Sequence, residues 1–249
     1  MKFSYKHSSL VIGAGLAGLL VLPTPGFALA TLGTAASYSV LGGSTITSTG
    51  ATTIQGDVGL SPGISITGMP AGQPNPGVIH TADPAAALAK LDLGVMYNSL
   101  AAAVCGTTMS GVDLGAHTLT PGVYCFAAAA GLTGVVTLDA EGDPNAVFVF
   151  QMGSTLTVAG GASVALVNGA QASNVWWQVG SSATLGIGST TCGTVIALAS
   201  ITLTTDAVVV GKVLAQTGAV TLNKNTIGAG GGITPTMKST WGAVKSIYR

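Results

Sequence analysis

The strongest constraint on what this chain can fold into is a repeat. A Thr-Leu pair recurs at Thr118-Leu119, Thr137-Leu138, Thr155-Leu156, Thr184-Leu185, Thr202-Leu203 and Thr221-Leu222, with Thr-to-Thr spacings of 19, 18, 29, 18 and 19 residues. A matching segment, Ile46-Thr47, precedes the others. Periods of this size mark stacked units, none of which can bury its inner face alone. One such period accommodates roughly three short strands and three tight turns, which is one coil of a triangular β-solenoid. The long step contains Gly169 to Gln178, read here as an insertion or a longer turn.

Side chains alternate across a strand, so if each Leu points inward its Thr points outward. The inward set then reads Ile46, Val136, Leu138, Leu156, Leu185, Ile201, Leu203, Val220 and Leu222, an apolar column. The outward set is Thr47, Thr118, Thr137, Thr155, Thr184, Thr202 and Thr221. Stacked coils lie about 4.7–4.9 Å apart, so these residues are expected to form a rank with that repeat. Thr120, Thr157 and Thr204 lie two residues on and suggest a second, incomplete rank. Thr ladders also serve stability alone, because Thr is a good strand residue that stacks on its neighbour. The functional alternative is a flat hydroxyl-and-methyl lattice that binds another lattice.

Composition narrows the choice. Only 6% of the 249 residues are charged, eight basic against eight acidic, while Gly supplies 37. A nucleic-acid partner needs a basic footprint that this chain lacks. A helical bundle needs charged outer faces. An uncharged surface suits a lattice ligand, since strongly hydrated Lys and Glu would disrupt it.

Other segments read as follows. Lys2, Lys6 and His7, the apolar run Leu10 to Leu22, Pro23 and Pro25, and the small-x-small site Ala28-Leu29-Ala30 have the layout of a secretory signal peptide over residues 1–30. The run is too short for the roughly 20 residues of a spanning helix, so no membrane association is expected after cleavage. Export permits disulfides, and Cys105 with Cys125 is the candidate pair, whereas Cys192 reads as a small buried residue. Asp83 as N-cap and Pro84 as first helical residue open one long α-helix over about residues 83–104. Leu88, Leu91, Val95 and Leu100, with Met96 and Tyr97 beside them, are its expected buried face. Ser61 to His80 is rich in Pro and Gly and reads as a long loop. After the Gly-rich linker Gly228 to Gly232, Ser239 to Arg249 reads as a short basic helix with Trp241, Val244 and Tyr248 on one face, with docking on the solenoid end, disorder and contact with the cell surface all open as its fate.

The ordered set of motifs resembles the bacterial and fungal ice-binding proteins of the DUF3494 type. It starts at Leu32-Gly33-Thr34-Ala35-Ala36-Ser37-Tyr38 and runs through Gly56-Asp57-Val58-Gly59-Leu60-Ser61-Pro62-Gly63 and Leu119-Thr120-Pro121-Gly122-Val123-Tyr124. The densest pieces are Gly142-Asp143-Pro144-Asn145-Ala146-Val147-Phe148 and Asn174-Val175-Trp176-Trp177-Gln178-Val179-Gly180-Ser181-Ser182-Ala183-Thr184-Leu185. The resemblance implies a mostly β fold: a triangular, discontinuous β-solenoid with one long α-helix packed alongside, spanning residues 31–227. It implies that N-terminal strands join the stack near coils from the far end of the chain. It also implies adsorption to ice through one flat face. Several members carry Thr-[Ala/Gly]-x-[Thr/Asn] patterns there; Thr49 to Thr52 fits, and Thr205-Asp206-Ala207-Val208 departs.

The expected function is therefore a secreted, monomeric protein that adsorbs to ice and inhibits its growth and recrystallisation. The candidate contacts are Thr47, Thr118, Thr137, Thr155, Thr157, Thr184, Thr202, Thr204 and Thr221. A rival face carries Ala165, Thr190, Thr194, Val208 and Val210. The alternative is an extracellular adhesin or a polysaccharide-acting solenoid. An enzyme of that kind needs clustered carboxylates or a calcium site. Asp57, Asp113, Asp139, Asp143 and Asp206 are scattered, and Asp139-Ala140-Glu141-Gly142-Asp143 reads as a polar turn rather than a calcium loop. No cofactor, metal or catalytic group is expected.

Overall fold

A computed structural model describes residues 30–228. The signal-peptide reading and the basic C-terminal segment fall outside those residues. Within them, every strand pairing is parallel, and the strands build a three-sided prism. Parallel strands cannot be joined by hairpins, so the chain turns at the corners of the prism, and positive-φ glycines such as Gly193 and Gly211 serve there.

The first side runs through Ile79–Thr81, Asp57–Leu60, Tyr38–Gly42, the later halves of Val208–Ala215 and Thr190–Ala197, then Val175–Val179, Phe148–Met152, Gly122–Phe126 and Thr107–Thr108. The second side holds Thr118–Leu119, Val135–Asp139, Ser163–Val167, the first halves of Thr190–Ala197 and Val208–Ala215, Thr226–Gly228 and Thr53–Gln55. The third is a separate seven-stranded sheet: Ala130–Leu132, Leu156–Val158, Ala183–Leu185, Ile201–Leu203, Val220–Asn223, Thr45–Thr49 and Ser65–Thr67. The stretch from Ser61 to His80, expected to be a loop, thus adds Ser65–Thr67 to the third side and begins Ile79–Thr81 on the first. Short strands between Pro and Gly escape a periodicity reading.

Two strands of eight residues turn a corner without a break. They do so at Gly193 and Gly211, which pair in register with φ of +105° and +150°. A Cβ on Gly211 would lie 2.0 Å from the Gly193 carbonyl oxygen, so only glycine lets the coils stack there.

The solenoid is discontinuous. Val40 pairs with Val213, Thr47 with Thr221 and Ile54 with Ile227, so the N-terminal coil lies on the last one on all three sides. Inside, Tyr124, Phe150 and Trp177 stack in register, with ring centroids 5.5 and 4.1 Å apart. The same column continues as Val195, Val213, Val40 and Val58. Aromatics occupy the longer coils and valines the shorter ones. All nine residues of the expected inward set are buried.

The helix, α1, is Pro84–Ala101. The Asp83 carboxylate accepts from the Ala86 amide at 2.7 Å, and Pro84 occupies a first-turn position that needs no amide donor. It packs on the outside of the first side, where Leu41, Val123, Val149, Ile196 and Leu214 form a second core with it. The buried stripe is Ala86, Ala89, Leu93, Met96 and Leu100, not the expected Leu88, Leu91 and Val95, which face outward. This helix is apolar almost all round, so composition does not select a face. The sheet selects the stripe with two alanines, which lets the helix approach a flat strand surface closely. Lys90 donates from Nζ to the carbonyls of Ala215 and Gln216, pinning α1 to the solenoid. Beyond the helix, Cys105 is joined to Cys125 on strand Gly122–Phe126.

Candidate functional site

The third side carries the most regular surface of the molecule. Each of its short strands alternates inward and outward residues. Inward go Leu156 and Val158, Ala183 and Leu185, Ile201 and Leu203, Val220 and Leu222, all buried. Between them, pointing outward, stand Thr157, Thr184, Thr202, Thr221, Thr47 and Thr67, each paired in register with the next. Gly131 precedes Thr157 and ends the rank. Thr202 is half-buried and the other five are exposed.

A second column runs beside it. Backbone bonds from the following residues place Thr155, Ser182, Ser200 and Ala219 level with one another, and Thr45 pairs with Ser65. The two columns define a net of about 4.8 Å across strands by about 6.7 Å along them. Among the described residues, no protein hydrogen bond engages the hydroxyls of the six central threonines. At the edge the pattern changes: Thr204 donates its hydroxyl to the Leu185 carbonyl at 2.9 Å, and Asn223 donates to the Thr205 hydroxyl at 2.9 Å. The face carries no ionisable side chain in either column. Lys224 and Asp206, paired at 3.1 Å, lie in the turns beyond it.

The structure therefore brings together Thr47, Thr157, Thr184, Thr202 and Thr221. Thr155 belongs to the neighbouring column, and Thr204 sits at the edge with its hydroxyl already bonded. Thr118 and Thr137 do not belong here. They pair with each other on the second side, where Thr137 also pairs with Ala165. The Thr-Leu pattern occurs on two sides of the prism, and spacing alone does not say which. Thr155 and Thr157 both flank the inward Leu156, so either fits the alternation; the register chooses Thr157. Thr67 was missed. Its signal was available, because Ser65-Ile66-Thr67 repeats the polar-Ile-Thr pattern of Thr45-Ile46-Thr47. The Thr49 to Thr52 pattern forms a turn in which Thr52 is buried and hydrogen-bonded to Ser48 at 3.0 Å.

The rival surface is divided. Thr190 and Val208 pair on the second side, and Ala165 lies on it too, but Thr194 is buried just beyond the corner and Val210 is buried just before it. The outward row there, Val135, Ser163, Thr190, Val208, Thr226 and Thr53, mixes polar and apolar groups.

Elsewhere the polar side chains serve local structure. Asp139 accepts from the Glu141 amide and from Asn168, both at 2.8 Å, and Asp143 accepts from the Asn145 amide at 2.8 Å. His80 meets Asp83 at 2.8 Å, and the Ala86 amide holds the Asp83 carboxyl below its ordinary range. Burial pushes the Cys192 thiol up to about 11, which makes it a poor nucleophile.

Comparison with known proteins agrees with this architecture. The sequence matches the family described as Ice-binding-like over residues 40–228. An ice-binding protein of Nostoc sp. (strain HG1) is 51% identical over 79% of this chain and 72% of its own length. The crystal structure of an ice-binding protein from an Antarctic biological consortium superposes with a TM-score of 0.75 at 48% identity, covering 80% of this chain and 90% of that one. That of the Antarctic ascomycete Antarctomyces psychrotrophicus gives 0.78 at 40% identity, covering 81% and 98%. With more than half its length inside the family match, and with the prism, helix and N-terminal coil arranged as described, the chain belongs to the Ice-binding-like family.

Proposed function

We propose that this chain is a secreted protein that adsorbs to ice through the face built by Thr157, Thr184, Thr202, Thr221, Thr47 and Thr67. The observation that carries this reading is the unbroken register of those six residues, with no charge among them and with hydroxyls that have no protein partner among the described residues. Thr155, Ser182, Ser200, Thr45 and Ser65 extend the contact area.

Ice offers neither charge nor pocket, so binding needs area, flatness and lattice match. Hydroxyls about 4.8 Å apart hold a row of waters near the spacing of an ice row. Thr methyls between them keep neighbouring water from liquid-like arrangements. Each contact contributes only about a few tenths of a kcal/mol after exchange with bulk water. Their sum survives because the face is ordered before binding: β-branched Thr is stiff at χ1, and every strand that carries the rank, except the edge strand Ser65–Thr67, is held by coils on both sides. Adsorbed molecules pin the ice front, which then grows as curved surface between them, against a free-energy cost. The layout of residues 1–30 supports export, and the protein is expected to act as a monomer with no nucleic-acid or membrane partner.

A cooled drop of the purified mature chain should contain faceted crystals and a gap between melting and growth temperatures. Thr202→Tyr, which raises a ring above the plane, should remove most of that gap with circular dichroism unchanged. Round crystals that grow freely, or turnover of pectin-like glycans without any effect on ice, would overturn the reading.

A further inference from the structure

Strand Thr190–Ala197 and the turn before it put two hydroxyls inside the prism. Ser189 and Thr191 are both fully buried, while Thr190 between them faces outward in register with Ser163 and Val208. Alternation along the strand sets both side chains on the inner face of the second side. Among the described residues, neither hydroxyl has a protein partner. One other buried side-chain atom among them shares that condition, the Gln216 Oε1, and it stands alone at another corner, beside Gly94 of α1. We propose that Ser189 and Thr191 together bind one internal water molecule, which bridges their hydroxyls.

The neighbouring coils show that these two hydroxyls are not there for packing. Ser189 lies level with Ala162 in the preceding coil, then with Ala207, Asn225 and Thr52. Thr191 lies level with Val164 and Val209, whose shape it copies with a hydroxyl in place of a methyl. Ala and Val at the two positions would fill the coil as they do on both sides of it. Other polar groups here are satisfied by the protein. Asn225 donates from Nδ2 to the carbonyls of Thr204 and Ala207 at 2.7 and 3.1 Å, and Thr52 accepts from Ser48 at 3.0 Å. Cys192, the next residue of the strand, donates from Sγ to the Val164 carbonyl at 3.5 Å. Ser189 and Thr191 are the exceptions, and they occur as a pair.

A buried hydroxyl without a partner costs free energy, and an ordered water recovers it. Such a water needs two to four polar partners and a little space. The two residues are about 6.7 Å apart along the strand. Two O–H···O bonds of about 2.8 Å span most of that distance, and hydroxyls that lean toward each other close the rest. Alanines on both sides of Ser189 leave the space. The Gly186 carbonyl, which accepts the Ser189 amide at 3.1 Å, has a second lone pair at the same corner and offers a third partner. The site is enclosed, so exchange with bulk water requires the coil to open locally, which gives the bound molecule a long residence time.

A high-resolution crystal structure of the protein should show a water peak within about 3.2 Å of both hydroxyl oxygens. In solution, oxygen-17 relaxation dispersion of the solvent counts long-lived waters without interference from hydroxyl proton exchange. The amplitude should fall by the share of one water in Ser189→Ala/Thr191→Val, with circular dichroism unchanged. An empty site in the crystal, or hydroxyls turned instead onto backbone carbonyls, overturns the proposal, and so does an unchanged amplitude in the double variant. The crystal result decides the matter even where the double variant does not fold. Neither measurement involves ice, so the outcome is independent of the ice reading.

Discussion

Thr47 stands directly beside Thr221, although one belongs to the first coil of the chain and the other to the last. The threonine rank therefore crosses the seam of a discontinuous solenoid without a step. Position along this rank should govern function. Thr202→Tyr sits mid-rank and should abolish most thermal hysteresis. Thr67→Tyr, at the end of the rank, should cost less, because fewer neighbours are lifted from the ice. Thr137→Tyr, on another side, should leave hysteresis unchanged. Nanolitre osmometry on the three variants checks the order. Equal damage from Thr137→Tyr and Thr202→Tyr would move the contact surface off the third side.

Much of this is legible in the sequence. Period and alternation identify the inward residues, because burial forces a strict pattern on them. The helix start was equally readable from Asp83 and Pro84, whose chemistry is local. What was not legible depends on relationships between distant segments. Which side of the prism a Thr-Leu pair occupies follows from cumulative corner geometry, and Thr118 and Thr137 were misassigned for that reason. Leu88, Leu91 and Val95 looked like the buried face of α1 because the larger side chains usually are; the close approach to the sheet selected Ala86 and Ala89 instead. The Thr157 register followed from neither Leu156 nor its flanks, only from the length of the coil that returns as Ala183–Leu185.

The corner at Gly193 and Gly211 should tolerate no side chain. Gly211→Ala places a methyl 2.0 Å from a backbone oxygen and cannot be relieved by a rotamer change. The coils must separate locally, at a cost of at least about 2 kcal/mol. Gly134 also has a positive φ, +80°, but a Cβ there meets nothing within 4 Å. Gly134→Ala should cost only the backbone strain, about 1 kcal/mol. Urea unfolding of the two variants should show that difference, and equal midpoints would contradict the close-stacking account.

The bridge between Cys105 and Cys125 closes a loop of sequence separation 20 and ties the chain after α1 to the first side. Replacing both by Ser should lower stability by about 3 kcal/mol on loop-closure grounds. Hysteresis below 0 °C should persist, because the threonine side neither contains nor adjoins the bridge. A fall in melting temperature with unchanged hysteresis is the expected pair of results; loss of both would mean that the helix side also sets the flatness of the third side.

Lys90 gives the stability a pH signature. Burial lowers its ammonium from 10.5 to about 8 in the folded protein. Between those values the unfolded chain holds a proton that the folded one has released, so folding gains stability as pH rises. Cys192 works in the opposite sense: burial raises its thiol from 9.0 to about 11, so the unfolded state loses its proton first and stability falls across that window. Tyr38, raised from 10.0 to about 12 chiefly by burial, adds to the fall at still higher pH. Between pH 8 and 9 the Lys90 effect outweighs the opposing ones of Cys192 and Tyr38. The melting temperature should therefore climb over that interval and flatten or decline above it. Lys90→Met keeps the aliphatic stem but removes the titrating group, so it should abolish most of the climb, while also costing the bonds to Ala215 and Gln216. A slope between pH 8 and 9 that is the same in Lys90→Met as in the parent chain would show that the rise comes from another group, with Lys212, also lowered by burial, the next to replace.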